Sequence, residues 1–359
     1  MEHASSAGRP ATTEPQAAHS SRRADTGRPA EGHEQDHRRG VADRLVREIG
    51  GGRLDLPLPG SGDTWRRWAA LRDLGRRDLA LARLAEGHCD AVAILAELGG
   101  PLPEPGSVWG VWAAHPPGPD LHAQPDAGAG WRLSGTKRFC SGARVCTHGL
   151  VSALVGDGER RLFAVPTDAA ASDPGSWAAA GMAASDTLTL AFDGAPAAPV
   201  GPAGAYTERP GFHHGGIGVA ACWYGGALAV VRPLADRVAA DRADPHARAY
   251  FGGADRDLHA AEAVLAAAAR EVDTDPRDRF GGARVRAMRA RAVVVAACAE
   301  VLRSTREALG AGPLAADADY SRAAEDLAAY IHQHHGARDL AELGSAAAPR
   351  FEDAHARVA

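Results

Sequence analysis

Trp131-Arg-Leu-Ser-Gly-Thr-Lys-Arg-Phe-Cys-Ser-Gly142 is the stretch from which the rest of this chain can be read. Trp131 and Leu133 alternate with polar residues, as they do in an extended chain whose successive side chains point to opposite faces. Ser134-Gly135 is a turn signal, and Lys137 to Ser141 reads as a returning strand that ends on a hydroxyl. The spacing therefore predicts a β-hairpin. Four neighbouring segments have the same character: Val108 to Trp112, Gly149 to Val155, Arg161 to Val165 and Thr187 to Phe192. Each is short, and each is bounded by Gly, Pro or Asp. Together they predict a small β-barrel or sandwich over residues 106–205.

The pattern changes on both sides of this block. From Val41 to Leu98 apolar residues recur at helical spacing, as in Trp65, Trp68, Ala69 and Leu71, then Leu79, Leu81 and Leu84. That signal stops at Gly99-Gly100 and the proline-rich turn that follows, which sets an N-terminal helical domain at 41–105. Residues 1–40 have no period and read as a disordered extension. After Pro210 the helical period returns in Ile217 to Arg237, Arg256 to Val272, Arg284 to Leu309 and Ala323 to Leu343. Four long helices with short loops predict an antiparallel four-helix bundle over 206–345, followed by a tail at 346–359. The fold class is α+β: helical domain, β-domain, bundle.

Composition narrows the function. With 359 residues, 45% hydrophobic and 24% charged, the chain can bury a large core in more than one layer. A net charge of -5, with arginines interspersed among carboxylates, provides no basic field for nucleic acid. The most apolar run, Ile217 to Leu234, is interrupted by Gly225, Gly226, Arg232 and Pro233, so no membrane span is expected. The first forty residues lack an apolar signal core, and the expected location is cytoplasmic. Five scattered cysteines form neither a disulfide framework nor a metal motif.

Two clusters invite chemistry. Gly215-Gly-Ile-Gly218 with Ala221 has the spacing of a dinucleotide loop, but no βαβ unit surrounds it. With Gly225 and Gly226 these glycines instead predict close helix packing. In Ile331-His-Gln-His-His-Gly336, His332 and His335 would share a helix face with Asp339 one turn on. The Glu-x-x-His pairs that a bundle uses to hold metal are missing, so no metal is expected, and the histidines read as residues near a helix break.

The quoted stretch resembles the N-G-x-K-x-W-I-T/S-N signature of acyl-CoA dehydrogenases, with Phe139, Cys140 and Ser141 at the W-I-T/S positions. The resemblance implies a flavin site: the aromatic residue lies beside the isoalloxazine and the hydroxyl hydrogen-bonds flavin N5. Arg248-Ala-Tyr-Phe251-Gly252 is similar to the family's R-x-x-F-G, which implies Arg248 on the FAD pyrophosphate and Phe251 toward the adenine. A guanidinium fork suits a diphosphate because its planar donors reach two oxygens at once. The order of domains also matches the family across residues 41–345. FAD is thus the expected cofactor, an acyl-CoA or related thioester the expected substrate, with an electron-transfer partner and a homo-oligomer as further implications.

Two departures modify that expectation. The family's T-E-P-x-x-G-S-D-L loop corresponds to Ala113-Ala-His-Pro-Pro-Gly-Pro-Asp-Leu121, where only Gly-x-Asp-Leu survives. Trp112 and Ala113 then offer the ring only packing and backbone. The family's R-D-x-x-x-x-x-x-Y-E-G-T, whose Glu removes the substrate α-proton, corresponds to Glu325-Asp326 followed by His334-His335-Gly336-Ala337. The Glu is missing, and His334 or His335 becomes the candidate base. Glu262, Glu300, Glu307 and Glu325 are the other carboxylates open to that role. A flavin-dependent monooxygenase of the same fold, or a non-catalytic relative, are the alternative readings.

Overall fold

The computed structural model describes residues 29–128, 130–156 and 158–351. Three helices come first: α1 (Pro29–Gly50), α2 (Thr64–Arg77) and α3 (Leu79–Leu98). The expected disordered extension is corrected for residues 29–40, which belong to α1; residues 1–28 lie outside the described residues. Tertiary contacts override the polar composition here. Val41 and Leu45 are fully buried, and His37 and Arg44 both reach Asp78, at 2.9 and 2.7 Å. Asp78 also caps α3 by accepting from the Leu81 amide at 2.9 Å.

The β-domain contains β1 (Trp109–Trp112), β2 (Leu121–Pro125), β3 (Trp131–Cys140), β4 (His148–Val155), β5 (Glu159–Pro166), β6 (Ala170–Asp173) and β7 (Leu188–Val200). Pairings run β4–β2–β3–β7–β5 and back to β4, so the sheet closes into a barrel; β1 adds to β4 and β6 to β7. Closure leaves few free edges.

The predicted hairpin is corrected. Trp131 to Cys140 is one ten-residue strand, paired with β2 along Trp131–Gly135 and with β7 along most of its length. Gly135 sits inside it at φ +121°, where a side chain would overlap the Asp120 carbonyl. Register shifts at Leu133/Ser134 and between Lys137 and Cys140 kink the strand. A glycine inside a strand marks such bulges and close backbone approaches as well as turns.

After the short α4 (Ala205–Glu208) comes the bundle: α5 (Pro210–Ala239), α6 (Pro245–Thr274), α7 (Ala283–Leu309), the single-turn α8 (Gly312–Ala316), α9 (Ala318–Tyr330) and α10 (Ala337–Ala347). The fourth expected helix is therefore two, broken at 331–336, where Gly336 adopts φ +55°. α5 is long and apolar enough to cross a membrane by composition, but 72% of its most apolar window is buried inside the protein. Its glycines bring backbones together, as their clustering predicts. Cβ atoms added at Gly75 on α2 and Gly225 on α5 would overlap the Cys222 and Arg72 carbonyls of the facing helix. One hydrophobic core, with Trp68, Trp112, Trp223 and Phe163 among its largest side chains, runs from the helices into the barrel.

Candidate functional site

At the end of β3 the backbone makes an unusual exit. Phe139 has φ +61°, and its ring is 42% exposed, with the Arg138 guanidinium 5.3 Å from its centroid. A non-glycine residue in this region costs on the order of 1–3 kcal/mol and persists only where its surroundings hold it. Met182 and Asp186, at φ +61° and +48°, repeat the feature on the segment that faces it. Three of the five left-handed non-glycine residues among the described residues thus gather at one end of the barrel.

The surroundings explain how they are held. Trp112 is 1% exposed and donates its indole N–H to the Ser141 carbonyl at 3.0 Å. Gly110 and Gly149 make room for that indole, since a Cβ on Gly110 would lie 2.7 Å from its nitrogen. The Gly142 amide donates to the Ser185 carbonyl at 2.8 Å. Ser141 Oγ stands 2.9 Å from Thr187 Oγ1, which is 2.8 Å from Ser185 Oγ; that hydroxyl donates to the Met182 carbonyl at 2.7 Å. A hydroxyl has one donor and two acceptor sites, so Ser141 keeps capacity for a further partner. From below, Asp326 on α9 accepts from the Met182 amide, and Gly181 packs on the α9 backbone. Burial pushes the Asp326 carboxyl up to about 6.

Of the expected site residues, Trp112, Ala113, Phe139, Cys140 and Ser141 come together here. Two of them are committed to the scaffold. Trp112 is scaffold and has no face free for a ring. Cys140 is fully buried, its thiol directed to the Lys137 carbonyl at 3.3 Å and pushed up by burial. Phe139 and Ser141 are the side chains at the rim. Arg248 and Phe251 lie elsewhere, in the first turns of α6, which packs on α2, α5 and α7. Arg248 pairs with Asp241 and is about half exposed; Phe251 packs partly inward.

The histidines fall in the break between α9 and α10, so the shared helix face sketched for His332 and His335 does not form. His334 is 6% exposed, and its Nδ1 accepts from the Gly336 amide at 3.1 Å, which leaves the proton on Nε2. Burial favours this neutral form. As held, the ring is a donor at Nε2 and not a base. His335 faces solvent with Nδ1 3.3 Å from Asp339. Among the other carboxylates, Glu262 pairs with Arg72, Glu300 with Arg303 and Ser304, and Glu307 and Glu325 are exposed.

Two groupings were missed from sequence. Lys137 is 3% exposed; its ammonium donates to Ser152 O and Oγ at 2.8 Å and lies 3.4 Å from His115 Nδ1. Burial brings Lys137 down to about 8 and His115 to about 4. No spacing rule links residues 115, 137 and 152. The second is the 182–187 segment itself, whose Ser-Asp-Thr ahead of a strand is a local turn signal.

A helical domain, a small closed barrel and a helix bundle, in that order, match the acyl-CoA dehydrogenase fold. Solved structures with it include TdsC from Paenibacillus sp. A11-2 in complex with FMN and indole, at TM-score 0.69 and 19% identity over 87% of this chain and 96% of that one. KijD3 in complex with FMN and dTDP-3-amino-2,3,6-trideoxy-4-keto-3-methyl-D-glucose matches at 0.69 and 19%, over 90% and 94%. A nitrososynthase from Micromonospora carbonacea var. africana matches at 0.69 and 21%, over 89% and 97%. At these identities the likeness establishes the fold. No protein-family profile matches the chain, and no curated protein matches it by sequence.

Proposed function

We propose that this protein is a flavin-dependent oxidoreductase whose cofactor, FMN or FAD, sits at the end of β3. The observation that carries the proposal is the exit of that strand: an exposed aromatic ring on a left-handed backbone at Phe139 and, two residues on, a hydroxyl with spare capacity, fixed by Trp112 and Thr187. TdsC and KijD3, which share this fold, have each been solved with FMN bound, which supports the same reading. Phe139 would cover the ring, Ser141 would bond its edge, and Trp112 would hold the Ser141 carbonyl in place. A bound flavin supplies two-electron redox chemistry; the chain supplies orientation and protons. Arg248 and Phe251, on a separate helix, would serve the flavin of a second copy, so a homo-oligomer is part of the proposal.

Oxygen-using chemistry is better supported than acyl-thioester dehydrogenation. Removal of an α-proton needs a base, and the position expected to hold one carries His334 with its basic nitrogen committed to the Gly336 amide. A hydrogen-bond donor at Nε2 suits stabilisation of an oxygen anion. The fold is shared with TdsC, a dibenzothiophene monooxygenase, and with the HsaA monooxygenase from M. tuberculosis. The test is a visible spectrum of the protein mixed with FMN or FAD, followed by two assays. Substrate-dependent O2 uptake with reduced flavin supports the proposal. Anaerobic bleaching by an acyl-CoA, with electrons passed to an acceptor protein, would return the function to dehydrogenation, and absence of flavin binding would end the flavoprotein reading.

A further inference from the structure

A cavity of about 450 Å³ lies between α1 and the barrel end that carries Ser141, within the size range of small-molecule sites, ~300–1000 Å³. Its floor is apolar, made by Leu84, Val145 and Ala184, and three arginines line it: Arg38 and Arg39 from α1, and Arg144 three residues beyond Ser141. One carboxylate, Asp186, shares the lining. It is 2.9 Å from Arg144 and 3.7 Å from Arg38 Nε, a buried donor with no hydrogen-bond acceptor in the protein. Glu34 and Asp36 pair with Arg38 and Arg39 at 3.1 and 3.9 Å, but these carboxylates are 50% and 78% exposed, so the pairs are weak and readily exchanged.

An apolar floor under three guanidinium groups with one internal counter-charge is a recognition surface for an anion attached to a flat, apolar body. Arginine forks match phosphate oxygens in pairs. We infer that the cleft between α1 and the barrel binds the phosphate of a phosphate ester through Arg38, Arg39 and Arg144. Two sources share that chemistry: the phosphate of the flavin itself, and the phosphate of a nucleotide-linked substrate. The first rests on the flavin reading above; the second does not.

The test uses the full chain. FMN and riboflavin, which differ by the phosphate alone, are titrated by flavin fluorescence, and inorganic pyrophosphate and ADP by calorimetry. The variants are Arg39→Gln, Arg144→Gln and Asp186→Asn. Asn tolerates the left-handed backbone at 186, so this last variant keeps the fold while removing the counter-charge. If the flavin is the source, FMN binds more tightly than riboflavin, and each arginine variant lowers that preference by about ten-fold, the worth of one charge-assisted bond. If the substrate is the source, FMN and riboflavin bind alike, while pyrophosphate and ADP bind the wild type and weaken by about ten-fold in the arginine variants. In either case Asp186→Asn tightens binding and raised salt weakens it. Failure of FMN to bind removes the flavin source alone, and pyrophosphate then decides the cleft. The inference is overturned if no phosphate ligand distinguishes the arginine variants from wild type, or if Asp186→Asn weakens binding.

Discussion

Gly225→Ala and Gly252→Ala make the same chemical change on two helices of one bundle and should move stability in opposite directions. On α5, a Cβ at Gly225 would stand 2.9 Å from both the Arg72 carbonyl carbon and the Arg76 amide, and nearer still to the Arg72 oxygen. Nothing in that contact can rotate away, because all three atoms are α2 backbone. Relief requires the helices to part by several tenths of an ångström or more along a seam packed by Trp68, Leu71 and Ile217. Such overpacking costs ~1–3 kcal/mol, and a rigid backbone contact belongs at the upper end. Against it stands the helical gain of Ala over Gly, about 1 kcal/mol. The net expectation is a loss of about 2 kcal/mol. On α6, Gly252 has nothing within 4 Å of its Cβ position, so only the gain remains, about 1 kcal/mol. Guanidinium unfolding followed by circular dichroism measures both, with the denaturant slope unchanged. If Gly225→Ala proves as stable as Gly252→Ala, the backbone-to-backbone seam between α2 and α5 is wrong.

Three further expectations concern the site. The Asp326 carboxyl, pushed up to about 6 from an ordinary 3.8, binds its proton in the native state before the unfolded chain does. Its contribution is full below pH ~4 and is lost as pH rises through about 6; Asp326→Asn should flatten the stability–pH curve over that window by about 3 kcal/mol, and an unchanged curve would contradict it. Ser141→Ala should weaken flavin binding by about 1 kcal/mol with the melting temperature little changed, whereas equal affinity in a fluorescence titration would remove the hydroxyl from the site. His334→Gln keeps a side-chain acceptor and a donor without a titrating base, so turnover should retain its pH profile; loss of an acid limb lying below the ordinary imidazole range would show that the imidazole takes a proton after all.

How far the sequence carried the reading depended on the range of the interaction. The bundle helices and α3 were legible because Leu79, Leu84, Ile217 and Val230 repeat at the period of the surface they bury. Phe139 and Ser141 could be singled out from a motif local in sequence, whereas the left-handed backbone at Phe139 could not. Gly135 was misread because a glycine signals a turn and a tight strand crossing equally, and only the Asp120 carbonyl decides between them. The first turns of α1 were invisible because the residues that order them, Asp78 and the 183–185 turn, lie far along the chain. His334 could be located but its role could not, since the Gly336 amide that sets its tautomer depends on a break in the helix. Lys137, Ser152 and His115 meet only when the barrel closes.

The footing of α1 has a consequence for how the protein is made. α1 packs on α3 and on residues 183–185, and its Arg38 reaches Asp186. During synthesis, α1 therefore leaves the ribosome well before the last of its supports exists, by on the order of 10 s at ~5–20 residues per second. A lone helix of this kind is marginal in water. For that interval Val41 and Leu45 have only part of their eventual cover, and the nascent chain presents an amphipathic segment to whatever chaperone or neighbouring chain is at hand. Slow codons placed before residue 183 would lengthen the exposure, while supplying α1 as a separate peptide to a chain already folded from residue 51 onward would bypass it.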